Sequence, residues 1–260
     1  MAQSPDDERL TRFPMLRDVE PALLAEASRL ARWRRVQPGE VVIDYDDTSD
    51  EVFLIISGTV RIAIHSASGQ EVILGEAGAG EIFGEMAAID GQSRSANVTA
   101  VHSSVLCCLP RATFLDLVLK TPSAGLLLLR LLTGRLRLLD ARNVELAVLP
   151  VRHRLVAELL RLGRPREDGQ LRITPPPAQH VLAARIGARR EAVSRELTNL
   201  TREGLATKSR QSILLPQPDA LREGLRKAMA GDAGKGKPLA SDAGKGKPIA
   251  GDAGRGRPKG

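Results

Sequence analysis

The segment FGEMAAIDGQSRSA, residues 83–96, places a carboxylate and a guanidinium among glycine, alanine and hydroxyl side chains. A turn holding Gly84, Glu85, Arg94 and Ser95 can offer backbone N–H groups, a guanidinium and a hydroxyl to one phosphate. Its carboxylate can accept a hydrogen bond from a sugar hydroxyl. A cyclic nucleotide carries one phosphate and one free ribose 2′-hydroxyl, so the segment matches both polar features. The alternative interpretation is an ordinary β-turn with a surface salt bridge.

A second segment, IGARREAVSRELTNLTREGL, carries mixed charge with helical spacing. A helix that begins near Arg189 places Arg190, Glu191, Ser194 and Arg195 along one edge of its first two turns. Arginine pairs with guanine O6 and N7, and glutamate accepts from cytosine N4, so this edge can read bases in a major groove. A solvated helix face with internal ion pairs is the alternative interpretation.

The first segment lies within a series of short β-type runs that follow a helical stretch at residues 14–32. The runs are VVID, EVFLII, TVRIAIH, EVILGEA, NVTAV and SVLCCL, punctuated by Gly39, Gly58, Gly69, Gly80, Gly84 and Gly91. Many short strands with glycine turns predict a sandwich, barrel or jelly roll over residues 36–110.

A leucine-rich helical segment runs from Arg111 to about Leu149, with Pro122 near a start and Pro150 at a break. Its apolar positions cover too much circumference for contact with one surface only. One face can pack on the β-domain and another on a second copy, which predicts a homodimer.

The second segment follows a predicted short helix over residues 151–163, a turn at EDGQ and a strand at LRIT. Two amphipathic helices are separated by a turn at Gly187, and a hairpin follows at LATKSRQSILLP, so the unit is predicted to be a winged helix-turn-helix. TPPPA, residues 174–178, replaces a polar first turn; Thr174 can cap the helix, and the sequence leaves the residue at which the helix starts open.

The last thirty residues repeat DAGKGKPLAS, DAGKGKPIAG and DAGRGRPKG. They hold seven basic residues and three aspartates, and the tail over residues 218–260 is predicted to be disordered because it has little apolar surface. RGRP, which contains Arg255 and Arg257, resembles the core of an AT-hook that lies in a narrow minor groove. A solvated basic tail that adds only nonspecific affinity is equally open.

The basic composition leaves DNA, RNA and an acidic membrane surface all open as partners. The formal net charge is +7 and the pI about 9.9, which indicates a polyanionic partner, and 42% hydrophobic residues can build real cores. Cys107 and Cys108 lie in an apolar run, which predicts buried side chains in a reducing compartment. The four histidines show no metal-ligand spacing, and no nucleophile, base or metal constellation indicates an enzyme. The polar, acidic N-terminus is unlike a secretory signal, which predicts a cytoplasmic protein. Arg130, Arg135 and Arg137 interrupt the most apolar run before it could span a bilayer.

GEIFGEMAAIDGQSRSANVTA resembles the phosphate-binding cassette of the catabolite activator (cyclic AMP receptor protein)/fumarate-nitrate regulator family, and the helix-turn-helix resembles the same family's DNA-reading unit. The resemblance implies an α+β fold with four parts. These are a β-roll (jelly-roll) cyclic-nucleotide-binding domain at residues 13–121, a dimerisation helix at 122–149, a winged helix-turn-helix at 150–217 and the basic tail at 218–260.

The resemblance also implies roles for single residues. Glu85 contacts the ribose, Arg94 and Ser95 hold the cyclic phosphate, and Gly84 and Met86 shape the loop. Arg135, on the long helix, faces the pocket glutamate.

The base-facing part of that helix departs from the well-studied cAMP receptors. Leu139 and Asp140 stand where hydroxyl residues are expected, and Asp140 or Asn143 is left to hydrogen-bond a purine. The implied ligand is cAMP, with cGMP as the alternative.

The resemblance further implies a dimer that reads a TGTGA-like inverted repeat in double-stranded DNA, with RNA polymerase as a partner. Two other interpretations stay open. One is a regulator of the same fold that needs no ligand, and the other is a DNA-architectural protein dominated by its basic tail.

Overall fold

The N-terminal end of the protein is less helical than its periodicity predicts. The computed structural model describes residues 9–66 and 71–233. A 3-10 turn at Pro14–Leu16 and helix α1, Pro21–Leu30, precede strand β1, Arg32–Val36. The prediction of helical structure through residue 32 is wrong at its end, because β1 pairs along its whole length with a distant strand.

Two antiparallel sheets form the N-terminal domain. Their further strands are β2 (Val41–Ile43), β3 (Val52–Ser57), β4 (Thr59–His65), β5 (Glu71–Gly78), β6 (Ile82–Phe83), β7 (Asn97–Ala100) and β8 (Ser104–Leu109). One sheet has the order β1-β8-β3-β6 and the other β2-β7-β4-β5. Non-sequential neighbours in both sheets are typical of a jelly roll, so the predicted β-roll is confirmed.

Strand β8 shows how the sheets divide the core. Cys107 belongs to the cluster between its sheet and the flanking helices, whereas Cys108 belongs to the cluster between the two sheets. Successive strand residues face opposite sides, and both sides are apolar here. Burial raises the pKa of the Cys108 thiol, which fits the predicted packing role.

Three helices accompany the β-roll. Helix α2 is Glu85–Asp90, α3 is Arg111–Lys120 and α4 is Pro122–Val148, a helix of 27 residues. Proline is tolerated in the first turn of α4, where no helical N–H bond is lost. Ala124 and Leu128 bury the start of α4 against the N-terminal domain. Several other large apolar residues of α4 are exposed, namely Leu126, Leu129, Leu136, Leu138, Leu139, Val144 and Leu146.

Within the described residues, no single helix has the length and apolar character needed to cross a membrane. Helices α3 and α4 reach that length and composition only when taken together, and the pair is bent by 108°.

The C-terminal domain is a helix-turn-helix with a small sheet. Its elements are α5 (Val151–Leu162), β9 (Arg164–Pro165), β10 (Leu171–Ile173), α6 (Gln179–Ile186), α7 (Arg190–Arg202), β11 (Thr207–Lys208), β12 (Ile213–Leu215) and α8 (Pro218–Ala233). The sheet order β11-β12-β10-β9 supplies the predicted wing. Gly187 makes the turn between α6 and α7 at φ +59°, a left-handed conformation that glycine adopts easily.

Two local predictions in this domain are wrong. Helix α6 begins at Gln179, with Ala178 as its N-cap and no side-chain cap, so Thr174 does not cap it. The interval 218–260 begins with the ordered helix α8, which packs on α5 and buries Leu221. Residues 234–260, which carry the repeats with Arg255 and Arg257, lie outside the described residues.

Candidate nucleotide and DNA sites

Six of the eight residues predicted to bind a cyclic nucleotide line one cavity. Strand β6 ends at Phe83, Gly84 adopts φ +80°, and α2 begins at Glu85, so the chain turns sharply where the cassette (residues 83–96) starts. The cavity is lined by Gly84, Glu85, Met86, Arg94, Ser95 and Arg135 together with Ile43, Ile62, Phe83, Ala87, Ala96 and Val98. The structure therefore brings five predicted cassette residues and one residue of the distant helix α4 to the same place.

Arg94 is the buried cation of the cassette and is only 3% exposed. Its guanidinium donates to the Gly84 carbonyl at 2.9 Å, the Glu51 carbonyl at 2.8 Å and the Ser49 hydroxyl at 3.1 Å. Burial lowers the pKa of Arg94, while Glu51 and other nearby carboxylates raise it. Because a guanidinium has five N–H donors, two remain for an anion. Sequence reasoning missed Ser49 and Glu51, which stand far from the cassette in the chain.

Glu85 links the cassette to the long helix. Its side chain is 3% exposed, and Oε1 accepts a hydrogen bond from Arg135 Nη1 at 2.5 Å. Arg135 Nη2 also donates to the carbonyl of Ile82 at 2.7 Å. Glu85 Oε2 is buried and has no hydrogen-bond partner among the described residues. An unsatisfied carboxylate oxygen at a cavity wall fits a hydroxyl donor such as the ribose 2′-hydroxyl.

The cavity is small for a whole nucleotide. Its volume is about 80 Å³, below the roughly 300–1,000 Å³ typical of ligand pockets. Met86 and Ser95 are exposed, with the Ser95 hydroxyl 3.7 Å from the Met86 sulfur. The polar groups suit a phosphate and a ribose, and the enclosed volume holds only part of a nucleotide.

Gly84→Ala tests the tight turn at the cassette. A Cβ at Gly84 would lie 2.8 Å from Arg94 Nη1 and 3.0 Å from the Glu51 carbonyl oxygen, at φ +80°. We expect Gly84→Ala to lower the free energy of unfolding by about 2–4 kcal/mol, from backbone strain and the clash together. Gly80→Ala is the matched control, because Gly80 has φ +88° and nothing within 4 Å of an added Cβ. Urea unfolding measures both variants, and equal losses would show that the clash contributes nothing.

The predicted base-reading edge lies on α7. Arg190, Glu191, Ser194 and Arg195 line one surface groove, which Gln179, Thr198 and Asn199 complete. Arg189 is the N-cap of α7 and is exposed. Within the described residues, Arg190 and Glu191 form no hydrogen bond or ion pair, so both side chains are available to a partner. Thr198 and Asn199 extend the edge beyond the predicted set.

The helix-turn-helix is docked on the N-terminal domain through α6. Ala63 and Ile73 of the β-roll form an apolar cluster with Val181 and Ala184 of α6. Glu71 of β5 lines a groove together with Arg189, Arg190 and Glu191, at the base-reading edge. In this arrangement the edge faces an acidic residue of the same chain.

An ionic network fixes the docked position. Arg185 of α6 pairs with Glu76 of β5 at 2.8 Å and with Glu158 of α5 at 3.3 Å. Glu158, which is 1% exposed, also pairs with Arg161 at 3.0 Å and with Arg142 at 3.4 Å. Sequence reasoning missed this network, since none of these residues stands in a recognisable motif.

Asp140 and Asn143, predicted to face the purine, do not line the cassette cavity of their own chain. They line a separate cavity between β5, the end of α4, α5 and α6.

Among the described residues, no group of three or more His, Cys, Asp or Glu side chains could hold a metal ion.

Arg185→Met tests the docking. The change removes both ion pairs of Arg185 while Glu158 keeps Arg142 and Arg161, so we expect the two domains to separate more readily. Small-angle X-ray scattering should show a larger radius of gyration than for the parent protein. Arg222→Met, which removes an exposed ion pair to Asp219 on α8, is the matched control. An unchanged scattering profile for Arg185→Met would mean that the apolar cluster alone holds the domains.

These features define a ligand-sensing β-roll joined by a long helix to a DNA-binding domain. Residues 33–121 match the model of the cyclic nucleotide-binding domain, and residues 153–223 match that of the Crp-like helix-turn-helix domain. The chain belongs to the CRP/FNR family of transcription regulators, which are not enzymes. The family expected from the two motifs is thereby confirmed.

Similarity to individual proteins supports the family assignment over most of the chain. The chain is 36% identical over 173 residues to the "Cyclic AMP receptor protein" of Thermus thermophilus, covering 66% of this chain and 78% of that one. It is 27% identical over 218 residues to a "CRP-like cAMP-activated global transcriptional regulator" of Mycobacterium tuberculosis, covering 83% and 97%. A CooA mutant from Carboxydothermus hydrogenoformans shares the fold, with a TM-score of 0.68 at 20% identity, covering 80% and 91%.

Proposed function

We propose that the protein is a homodimeric transcription regulator that binds a cyclic nucleotide in the cassette and reads a TGTGA-like inverted repeat. The main observation in favour of a ligand concerns the buried carboxylate of Glu85. One of its oxygens accepts a hydrogen bond from Arg135, and the other has no hydrogen-bond partner among the described residues and lies beside the cavity. cAMP is preferred over cGMP, because two relatives are named for cAMP. The protein acts where the DNA is, in the cytoplasm.

The exposed apolar side of α4 supports the dimer. Leu129 and Leu136 are 62% and 59% exposed, and Leu139 and Leu146 are 50% and 51% exposed. Each pair is separated by seven residues, the repeat of a coiled-coil seam. Contiguous exposed leucines are rare on a monomer, and a second α4 would cover them. Because these four side chains are already about half-buried, covering their exposed parts offers about 3–7 kcal/mol per chain before association costs.

Nucleotide entry is coupled to α4 through Arg135. Because Arg135 is a wall of a cavity too small for the ligand, binding moves Arg135 or takes over its partner Glu85. Arg135 lies on α4, which is followed directly by α5 and the docked helix-turn-helix, so α4 is the route by which a change at Arg135 reaches the DNA-binding domain. The nucleotide favours the DNA-binding arrangement to the extent that it binds that arrangement more tightly.

A ligand-independent regulator is the second candidate, and one observation favours it. Arg94 is already bonded to two carbonyls and a hydroxyl of its own chain, so the cassette is held together without an anion. In that case Glu85 and Arg135 act only as a structural tie between the β-roll and α4.

Fluorescence anisotropy separates these functions. The full chain is titrated onto a TGTGA inverted-repeat duplex and a scrambled duplex at near-physiological salt, with no nucleotide, cAMP or cGMP. If tight binding to the specific duplex occurs with just one of the two nucleotides, the result supports the gated regulator and names its ligand. Specific binding that ignores both nucleotides supports the ligand-independent regulator. Equal binding to both duplexes contradicts the proposal and favours affinity from the basic tail, because phosphate contacts carry no sequence information.

A further inference from the structure

The exposed leucines of α4 assign a heptad register to that helix. Leu129 and Leu136 take the a positions of the seven-residue repeat, and Leu139 and Leu146 take the d positions. The flanking positions are then fixed as well, because g precedes a and e follows d along the chain. The g positions are Leu128, Arg135 and Arg142, and the e positions are Thr133, Asp140 and Ala147.

The g side of α4 belongs to the chain's own N-terminal domain. Leu128 is buried in the core of that domain, and Arg135 donates to Glu85. Arg142 donates to the Leu74 carbonyl of β5 at 2.5 Å. The three e positions, in contrast, are all exposed. In a parallel pair of helices the e positions of one helix lie beside the g positions of the other, so the e side of a second copy would lie along this N-terminal domain.

Opposite charges stand at matching g and e positions. In a parallel two-stranded coil, a g residue lies next to the e residue of the following heptad in the other helix, and such pairs form ionic contacts. For Arg135 this residue is Asp140 of the second copy. Asp140 forms no hydrogen bond or ion pair within the described residues. Arg135 uses two of its five N–H donors, on Glu85 and on the Ile82 carbonyl, and its side chain is 34% exposed. Donor and acceptor are therefore both available.

Asn143 gives the pairing a second mark, because it occupies the a position that follows Leu136. Its side chain is exposed and forms no hydrogen bond within the part of the chain that the structure describes. In a parallel pair in register, the two copies of Asn143 face each other and can share a hydrogen bond. A single Asn at an a position specifies register and oligomeric state at a cost in stability. An antiparallel pair centred on the same leucines would instead set Asn143 against Leu132 and Arg135 against Arg142.

From these observations we infer that Asp140 of a second copy accepts a hydrogen bond from Arg135, so that each cassette is tied to the other chain. The inference rests on the proposed dimer and adds the residues that set its direction and register. Arg135 then bridges Glu85 of its own cassette and Asp140 of the second copy, while Asn143 pairs with its counterpart. A nucleotide that draws on Glu85 or Arg135 changes this bridge and thereby acts on both chains.

The dimer dissociation constant of the nucleotide-free full chain, measured by sedimentation equilibrium, tests the ion pair. We expect Asp140→Asn to raise this constant at least about fivefold, because a symmetric dimer contains two such pairs. The same exchange should have no effect in Arg135→Met, from which the partner has been removed. Asp116→Asn, which removes an exposed carboxylate paired with Lys120 on α3, is the matched control and should leave the constant unchanged.

A charge reversal keeps this test decisive if Arg135→Met fails to fold, as judged by circular dichroism. Asp140 is exposed, so its replacement should leave the fold intact. Asp140→Lys places a cation beside Arg135 of the second copy and should raise the dimer dissociation constant further than Asp140→Asn does.

Cysteine crosslinking tests direction and register. Asn143→Cys should form a disulfide between two copies under mild oxidation, because a parallel pair in register brings the two positions together. Val144→Cys is the matched control, since Val144 is 47% exposed and takes a b position away from the seam. Cys107 and Cys108 are buried, so the parent protein should run as a monomer on a non-reducing denaturing gel.

The outcomes separate this inference from the proposed function. A monomeric parent protein would remove the dimer itself. In a dimeric parent, an unchanged constant for Asp140→Asn, or equal constants for Asp140→Asn and Asp140→Lys, would overturn the ion pair alone. Equal crosslinking of Asn143→Cys and Val144→Cys would overturn the register. If Asp140→Asn lowers the affinity for cAMP and leaves the nucleotide-free dimer unchanged, the carboxylate serves the purine and not Arg135.

Discussion

Arg94→Leu is expected to abolish the nucleotide response, with at least about a 100-fold loss of cyclic nucleotide affinity. Three intrachain hydrogen bonds leave two N–H donors of the guanidinium unused, and each charge-assisted hydrogen bond to a phosphate would contribute about 1.5–3 kcal/mol. No other Lys or Arg side chain except Arg135 lines the cassette cavity, among the residues that the structure describes. Equilibrium binding of fluorescent cAMP and the anisotropy titration on DNA measure the two losses.

Stability must be measured on the same variant, because Arg94 also holds its own chain together. Its removal leaves the carbonyls of Gly84 and Glu51 without this donor and lowers the free energy of unfolding by about 2–4 kcal/mol. Arg111→Leu is the matched control. Arg111 donates to the Ala88 carbonyl of α2 at 2.7 Å but does not line the cavity, so it should lose stability and keep nucleotide affinity.

Ser95→Ala keeps the test decisive if Arg94→Leu unfolds. Ser95 is exposed and its hydroxyl contacts only the Met86 sulfur in the described structure, so its removal should cost little stability. We expect a five- to tenfold loss of nucleotide affinity, about 1–1.4 kcal/mol, for one hydrogen bond to the phosphate. If Ser95→Ala and folded Arg94→Leu both keep the parent protein's nucleotide affinity, the cassette does not bind the nucleotide.

The cassette could be predicted from sequence because its parts are local. The turn at Gly84, the carboxylate of Glu85 and the pair Arg94 and Ser95 lie within one short segment, and the structure gathers them around one cavity. The turn at Gly187 and the edge of α7 were predictable for the same reason, since glycine conformation and helical spacing act over a few residues. The link between Glu85 and Arg135 came only from resemblance, because no local rule joins positions fifty residues apart.

Features that depend on distant packing were missed. Strand β1, RWRRV, has three arginines and no clean alternation, and it becomes a strand by pairing with β8. Helix α8 starts at Pro218 and is stabilised by its contact with α5. The polar composition of the tail gave no sign of this contact. The purine contact that the resemblance suggested for Asp140 or Asn143 stays a prediction, and within one chain these residues line a different cavity with β5 and α6.

Arg190→Ala is the DNA-binding change with the largest expected effect. A guanidinium that pairs with guanine O6 and N7 contributes about 1–3 kcal/mol of discrimination. We therefore expect affinity for the TGTGA duplex to fall by roughly 5- to 150-fold, while affinity for the scrambled duplex changes little. Arg202→Ala is the matched control, because Arg202 lies in the last turn of the same helix and outside the groove formed by the predicted edge.

The comparison of the two duplexes decides what Arg190 contributes. If the side chain contacts phosphate rather than a base, Arg190→Ala will weaken both duplexes alike and reduce the salt dependence of binding by about one ion. In the docked position Arg190 shares a groove with the acidic Glu71 of β5, so release of the helix-turn-helix would free Arg190 for DNA. Combining Arg190→Ala with Arg185→Met tests this order of events. If release comes first, Arg185→Met raises nucleotide-free binding to the TGTGA duplex, and the added Arg190→Ala removes that gain.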